Sequence, residues 1–332
     1  MLFSLKKCKS YYCCEDLEEN VVLHHDWYSI CSMYGHLNFI YRPIFNWGEN
    51  GFNYRKFLEV KREIIKDMQK GKIHIGCIGC KSLKKKEWKG KCDKLHHIHF
   101  RLSKKCNAKC IYCKDEIDNL STDRPFFEDL KKLVEKKQLA KNALIEFGGG
   151  EFTLHDEFDK IFRYLLDKGF RRFKVYTSGL KYSKEMEEAL GFGQCELIIS
   201  PDAGDKETYI KIKQADTYDR LWGNLSRYVK AQNENRLQVK TKFLICRGIN
   251  DTEKQIDLFI EKSKEIGIKQ VIFDIEVNDI HSLQKEFNET LINHLIKLIK
   301  YAKKQTETKY NMIFEDFSYI QLLKQYYPKY FE

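Results

Sequence analysis

The sequence predicts an α/β fold built on parallel strands, and two observations lead there. From about His97 onward, short apolar runs alternate with longer amphipathic ones. That order implies βαβ units with right-handed crossovers. The composition is that of a cored globular chain: 332 residues, 42% hydrophobic, 14% aromatic and only four prolines.

The strand-like runs are residues 97–102, 143–147, 173–177, 196–200, 239–246 and 270–275. Between them lie helical patterns over 157–168, 184–190 and 253–266, and a further one, 285–304, follows the last strand. Six units are too few for an eight-stranded barrel, which leaves a partial barrel or an open doubly wound sheet. In both, chemistry collects at the C-terminal strand ends.

The first 95 residues differ. They hold seven of the twelve cysteines and one predicted helix around 54–70. This block reads as a small module held together by metal rather than by a large core. The expected division is therefore 1–95 as a cysteine-rich module, 96–280 as the α/β core, and 281–332 as a helical extension covering it. Phe317, Tyr319, Tyr326 and Tyr327 of that extension would cover the sheet or shape a substrate mouth.

No apolar targeting segment follows Met1 and no window approaches a membrane-spanning length, so a soluble, cytoplasmic protein without membrane contact is expected. In that compartment cysteines bind metal or do chemistry more often than they form disulfides. The net charge is +11, and residues 81–105, with ten Lys or Arg against Glu87 and Asp93, supply +8 of it. Such a run suits a solvated face, an anionic substrate or an acidic electron donor. With only Trp88 and Phe100 interleaved, it is not read as a nucleic-acid site.

The most informative segment is Cys106-Asn-Ala-Lys-Cys110-Ile-Tyr-Cys113, directly after the first core strand. Three cysteines at spacings of four and three can converge from a single loop. Iron–sulfur clusters usually take four thiolates, so three would leave one iron open to a substrate. The alternative is a structural zinc site completed by His96, His97 or His99, although such sites normally draw on paired, separated knuckles.

Cys-x-x-x-Cys-x-x-Cys with an aromatic residue before the last Cys resembles the signature of the radical S-adenosylmethionine (radical SAM) enzymes. Gly148-Gly149-Gly150-Glu151, at the end of the next strand, resembles that family's Gly-Gly-Glu element, with Phe152 standing where many members have Pro. Val175-Tyr176-Thr177-Ser178-Gly179 is similar to the family's third-strand end. Ile198 to Gly204, followed by Glu207-Thr208-Tyr209, is similar to its fourth-strand segment, and Gly248-Ile249-Asn250-Asp251 follows the fifth strand as in the family. The resemblance covers about residues 96–280.

The resemblance implies a partial TIM barrel, (β/α)6, with Cys106, Cys110 and Cys113 holding a [4Fe–4S] cluster. It implies that Glu151, with Gly148, Gly149 and Gly150, binds the amino group of S-adenosylmethionine, and that Tyr112 lies beside the adenine. Ser178, Ser200 and Asp202 are further cofactor-binding candidates, the last two through the ribose and methionine groups. The implied chemistry is reductive cleavage of S-adenosylmethionine to a 5′-deoxyadenosyl radical, which abstracts hydrogen from a peptide, protein or carbohydrate-type small molecule. Oxidation, cross-linking or epimerisation would result, and the basic 81–105 run would dock an acidic flavodoxin or ferredoxin as electron donor.

Upstream, Cys77-Ile-Gly-Cys80 is a pair able to grip one metal from a tight turn. Cys14, Cys31, Cys77 and Cys80 are the preferred set for a second centre, with Cys13 and Cys92 as substitutes. This resembles the auxiliary iron–sulfur (SPASM or twitch) modules of some radical SAM enzymes, here N-terminal rather than C-terminal. A structural zinc site is the competing reading. Cys246, at the end of the fifth strand, is a candidate hydrogen donor to a product radical or a small buried hydrophobe, and Cys195 is expected to pack. Two other functions stay open: a zinc-binding basic module for nucleic acid, and an activase that places a glycyl radical on a partner.

Overall fold

The computed structural model describes residues 10–31, 44–48, 51–78, 80, 82–88, 93–113, 115, 117–233 and 236–331. Two compact units are distinguished: residues 1–105 with 119–173, and residues 106–118 with 174–332.

In the first unit the elements are β1 (Tyr11–Cys13), α1 (Glu15–Glu19), β2 (Asn20–His24), β3 (Trp27–Ser29), β4 (Ile44–Asn46), α2 (Tyr54–Gln69), β5 (Lys84–Lys86), β6 (Leu95–Arg101), α3 (Phe127–Glu135), β7 (Leu139–Phe147) and α4 (Phe158–Asp167). β6 pairs in parallel with β7 on one side and β2 on the other, the latter in register from Asn20↔His97 to His24↔Arg101. β3 and β4 extend this edge antiparallel. Residues 20–24 of the N-terminal segment thus join the strand that leads toward the cysteine loop. Val21-Val22-Leu23 is fully buried, the continuous apolar run of a strand covered on both faces. β1 and β5 form a separate antiparallel pair.

An aromatic column packs α4 against these strands. Phe147 lies 5.1 Å from Phe100, 5.1 Å from Phe152 and 5.6 Å from Phe162, centroid to centroid. Each such ring taken out of water contributes about 1.5–3 kcal/mol.

The second unit contains β8 (Phe173–Thr177), which starts at the boundary, α5 (Lys184–Gly191), β9 (Cys195–Ile199), α6 (Lys206–Lys213), α7 (Tyr218–Ala231), β10 (Val239–Ile245), α8 (Glu253–Glu265), β11 (Gln270–Ile275), α9 (Val277–Lys285), α10 (Glu289–Lys304), β12 (Ile313–Asp316) and α11 (Ser318–Tyr326). Its strand order is β12-β11-β10-β9-β8, with β9 to β12 parallel. The helix expected over 285–304 is interrupted, because Asn288 caps α10 by accepting from the Leu291 N–H at 2.9 Å. The segment expected to be a helical extension also supplies β12. Asp274, 1% exposed on β11, accepts the Tyr319 and Ile320 N–H groups at 2.9 and 3.3 Å and so holds the start of α11. Among the described residues no helix is long and apolar enough to cross a membrane.

Candidate functional site

The cysteine loop, Cys106 to Cys113, has no regular structure and is fixed by its neighbours within the second unit. Ser178 Oγ donates to Asn107 Oδ1 at 2.9 Å, so Ser178, expected at the cofactor, holds the residue after Cys106. Lys109 N–H donates to the Lys213 carbonyl and Ile111 N–H to the Ile212 carbonyl, both at 3.0 Å. The last carbonyls of a helix lack partners inside it, so the loop caps α6. Cys113 N–H closes a turn onto the Cys110 carbonyl at 3.0 Å. Cys106 and Cys110 are half-buried, Cys113 is exposed, and none of the three forms a disulfide.

Side chains complete the brace. The Tyr112 hydroxyl donates to Asp202 Oδ2 at 2.5 Å and accepts from Lys213 Nζ at 2.7 Å. Lys213 Nζ also donates to Asp202 Oδ2, and the Leu244 N–H donates to Asp202 Oδ1 at 2.7 Å. Asn250 locks the same place, its amide donating to the Asp202 and Leu244 carbonyls at 2.9 and 2.8 Å. Its oxygen accepts from the Cys246 N–H at 2.6 Å.

Burial works against the Lys213 ammonium, but Asp202 beside it prevails and holds the lysine well above its ordinary range. Burial, then the Asp202 charge, pushes the Tyr112 phenol well above the usual tyrosine value. The lysine therefore keeps its proton and the phenol stays a donor. Asp202, expected to face ribose or methionine, is instead fully buried with both carboxylate oxygens engaged. Its φ of 57° turns it inward, a left-handed conformation that Asp tolerates better than most residues. Lys213 went unrecognised because a lysine in a helix's last turn ordinarily faces water. The Tyr112 ring packs on Ile212, Leu244 and Cys246, and Ser200 is half-buried just past β9.

The Gly148–Glu151 element lies in the first unit. Gly148 N–H donates to the Phe100 carbonyl at 2.9 Å and Glu151 N–H to the Lys105 carbonyl at 2.8 Å. The element is thereby tied to the residue immediately before Cys106. Gly149 and Gly150 have φ of 72° and 56°, and a Cβ on Gly150 would stand 2.6 Å from the Ser103 carbonyl oxygen. Only glycine fits there. Glu151, 1% exposed, accepts from Thr153 Oγ1 at 2.6 Å. Phe152, in the position many family members give to Pro, is fully buried and stacks at 4.8 Å on His155, anchoring the turn by packing.

The approach to Cys106 is also held by charge. Asp123 Oδ1 accepts from Ser103 Oγ at 2.9 Å, and Oδ2 accepts from Lys105 Nζ at 3.0 Å and the Asp156 N–H at 2.9 Å. Although burial opposes it, these bonds hold the Asp123 carboxyl below the ordinary aspartate value of 3.8.

His97 and His99, offered as zinc ligands, face Glu146 at 3.2 and 3.6 Å. Cys246 is 1% exposed with its Sγ donating to the Leu244 carbonyl at 3.5 Å, and burial pushes its thiol up, as it does that of Cys195.

In the N-terminal segment Cys80 N–H donates to the Cys77 carbonyl at 3.0 Å, a tight turn that presents two thiols. Cys14 Sγ accepts from the Leu17 N–H at 3.4 Å at the start of α1. Cys14 lies within electrostatic reach of Cys13 and Cys31, Cys13 of Cys77, and Cys77 of Cys80. Burial pushes the Cys13 and Cys77 thiols up to about 12 and about 11. Cys92 lies outside the described residues. Among the described residues no three His, Cys, Asp or Glu side chains stand, in their present rotamers, as a ready metal-holding group. The donor set at 106, 110 and 113 nonetheless fits a cluster in chemistry: three accessible thiols, outside any disulfide, on one backbone-fixed loop.

Residues 100–262 match the family model of the Radical SAM superfamily. The chain belongs to the radical SAM superfamily. Radical SAM proteins use a [4Fe–4S] cluster and S-adenosylmethionine, and these are the cofactors of this core. GTP 3′,8-cyclase of Chlorobaculum tepidum is 23% identical over 188 residues, 56% of this chain and 56% of that protein. The GTP 3′,8-cyclase of Nautilia profundicola is 23% identical over 232 residues, 67% and 70% of the two chains. SuiB of Streptococcus suis, solved with its precursor peptide SuiA, matches with a TM-score of 0.56 at 14% identity, over 90% of this chain and 60% of SuiB. SuiB bound to S-adenosylmethionine gives 0.55 at 15%, over 84% and 60%. The chain spans a little over half the length of the first curated relatives it matches, 56% and 52%. At these identities the structural likeness establishes the fold, the α/β partial barrel of radical SAM cores.

Proposed function

We propose that this radical SAM protein cleaves S-adenosylmethionine reductively and directs hydrogen abstraction onto a peptide or protein substrate. The observation that carries the cleavage is the three-cysteine loop pinned to the end of α6 by the Lys109 and Ile111 amides. Cys106, Cys110 and Cys113 would hold the cluster, leaving one iron for the methionine end of the cofactor. The cluster, when bound and reduced, supplies the electron that breaks a sulfur–carbon bond and yields the 5′-deoxyadenosyl radical.

The glycines at 148–150 permit close backbone approach, and the Glu151 carboxylate is a suitable acceptor for an amino group. Ser200 keeps its assignment as a further cofactor contact. Peptide as the substrate class is supported by SuiB, captured with a precursor peptide and alike in fold over 90% of this chain. A second reading, a nucleotide substrate, is favoured by the curated GTP 3′,8-cyclases, which are alike over about half of it.

Cys14, Cys31, Cys77 and Cys80 are assigned to a second metal centre, iron–sulfur or zinc, within residues 1–95. Its support is the Cys77–Cys80 turn and the electrostatic proximity of Cys14 to Cys31 and of Cys77 to Cys80. Electrons would arrive from an acidic flavodoxin or ferredoxin, for which the exposed Lys84, Lys85 and Lys86 of β5 offer a docking charge.

The deciding experiment is anaerobic reconstitution with iron and sulfide, reduction with dithionite and addition of S-adenosylmethionine. Release of 5′-deoxyadenosine that vanishes in Cys106→Ala is expected. Zinc at that loop, or no release from iron-loaded protein, overturns the cleavage. Deuterium transfer from labelled GTP, but not from labelled peptide, into 5′-deoxyadenosine would replace the substrate class.

A further inference from the structure

Negative charge accumulates where the cysteine loop meets α6. The C-terminal end of a helix carries partial negative charge, and the carbonyls of Ile212 and Lys213 there receive the loop amides. Asp202 adds a fully buried carboxylate at the same place. Thiolates ligating iron at 106, 110 and 113 would add more. A buried charge that opposes them is the Lys213 ammonium, 5% exposed, 5.1 Å from the Tyr112 ring centroid and 2.7 Å from its hydroxyl. A buried ion pair is weak evidence for stability, since desolvation offsets most of its attraction. Its retention beside the loop calls for another account.

Resting on the reading that the three cysteines hold the cluster, we propose that Lys213 is a positioning residue that also sets the cluster's reduction potential. Reduction adds one negative charge. A fixed, buried cation favours that reduced state, and burial protects the interaction from screening by salt. The same side chain holds Tyr112, and its main chain holds Lys109, so charge and loop geometry are delivered by one residue. Asp202 acts in the opposite electrical sense while keeping the ammonium in place.

The test is an EPR-monitored redox titration of the reconstituted cluster, without S-adenosylmethionine, in wild type, Lys213→Gln, Lys213→Arg and Asp202→Asn, with iron counted in each. Lys213→Gln should shift the midpoint to lower potential. Asp202→Asn, which removes the opposing carboxylate and leaves the cluster's own negative charge to hold the Lys213 proton, should shift it upward, and Lys213→Arg should stay near wild type. A merely structural role would change stability but would not move the two midpoints in opposite directions. Midpoints unchanged, or displaced the same way, in iron-loaded Lys213→Gln and Asp202→Asn overturn the proposal. Should Lys213→Gln not load iron, the upward shift in Asp202→Asn beside an unmoved Lys213→Arg decides. Wild type that takes up no iron at the loop defeats the underlying cluster reading instead.

Discussion

The ammonium of Lys213 and the phenol of Tyr112 meet at 2.7 Å, so the last residue of α6 grips the cysteine loop by its side chain as well as by its main chain. Tyr112→Phe removes one hydroxyl from this brace and leaves the ion pair intact. A hydrogen bond to charged groups is worth about 1.5–3 kcal/mol. The variant should lose iron to a chelator severalfold faster than wild type, followed by the decay of visible absorbance. Equal rates would show that the main-chain bonds alone secure the loop.

Gly150→Ala places a Cβ 2.6 Å from the Ser103 carbonyl and 2.9 Å from that of Lys105, at a φ of 56°. Left-handed backbone alone costs a non-glycine residue about 1–2 kcal/mol, and neither carbonyl is a flexible side-chain end. Urea denaturation should show a loss of about 2 kcal/mol or more.

The Asp123 carboxyl is held below the aspartate value of 3.8 when folded, so its contribution is fully present above that value and is lost as pH falls through the lower, folded pKa. Asp123→Asn should be less stable than wild type at neutral pH. It should also lose less additional stability on acidification below about pH 4, as read from thermal midpoints across pH. Parallel profiles would place the acid sensitivity elsewhere.

Two centres should be separable by iron counting. Cys77→Ala with Cys80→Ala should lower iron, or zinc, per chain and leave S-adenosylmethionine-dependent 5′-deoxyadenosine detectable. Cys113→Ala should abolish that product and spare the N-terminal metal. Coincident loss in both variants would argue for one shared site.

Reversal of charge at Lys84, Lys85 and Lys86, all exposed on β5, should slow turnover driven by flavodoxin while dithionite-driven turnover is unchanged. The slowing should grow at low ionic strength, because contacts between exposed charges are screened by salt. Equal flavodoxin rates would rule out docking there.

Much of the fold was legible because the core strands announce themselves. Residues 173–177 and 270–275 are short apolar runs between polar stretches, and both fall where expected. The strands of residues 20–46 were missed because a dense cysteine count drew attention to metal and away from the Val21-Val22-Leu23 run. The break at 286–288 was signalled by Asn288 followed by Glu289, a cap and an acidic first turn inside an otherwise continuous apolar pattern. The cysteine loop and the glycine element were readable as local motifs. The brace of Asp202, Lys213 and Asn250 was not, since it joins residues 48 positions apart and only tertiary packing turns a helix-end lysine inward.

The grip of Asp274 on the first turn of α11 bears on how this protein can be handled. A shortened chain ending before residue 318 would strip that carboxylate of two of its donors while leaving it buried beside Lys242, at 3.3 Å. Removal of α11 would therefore injure β11, more than forty residues earlier in the chain.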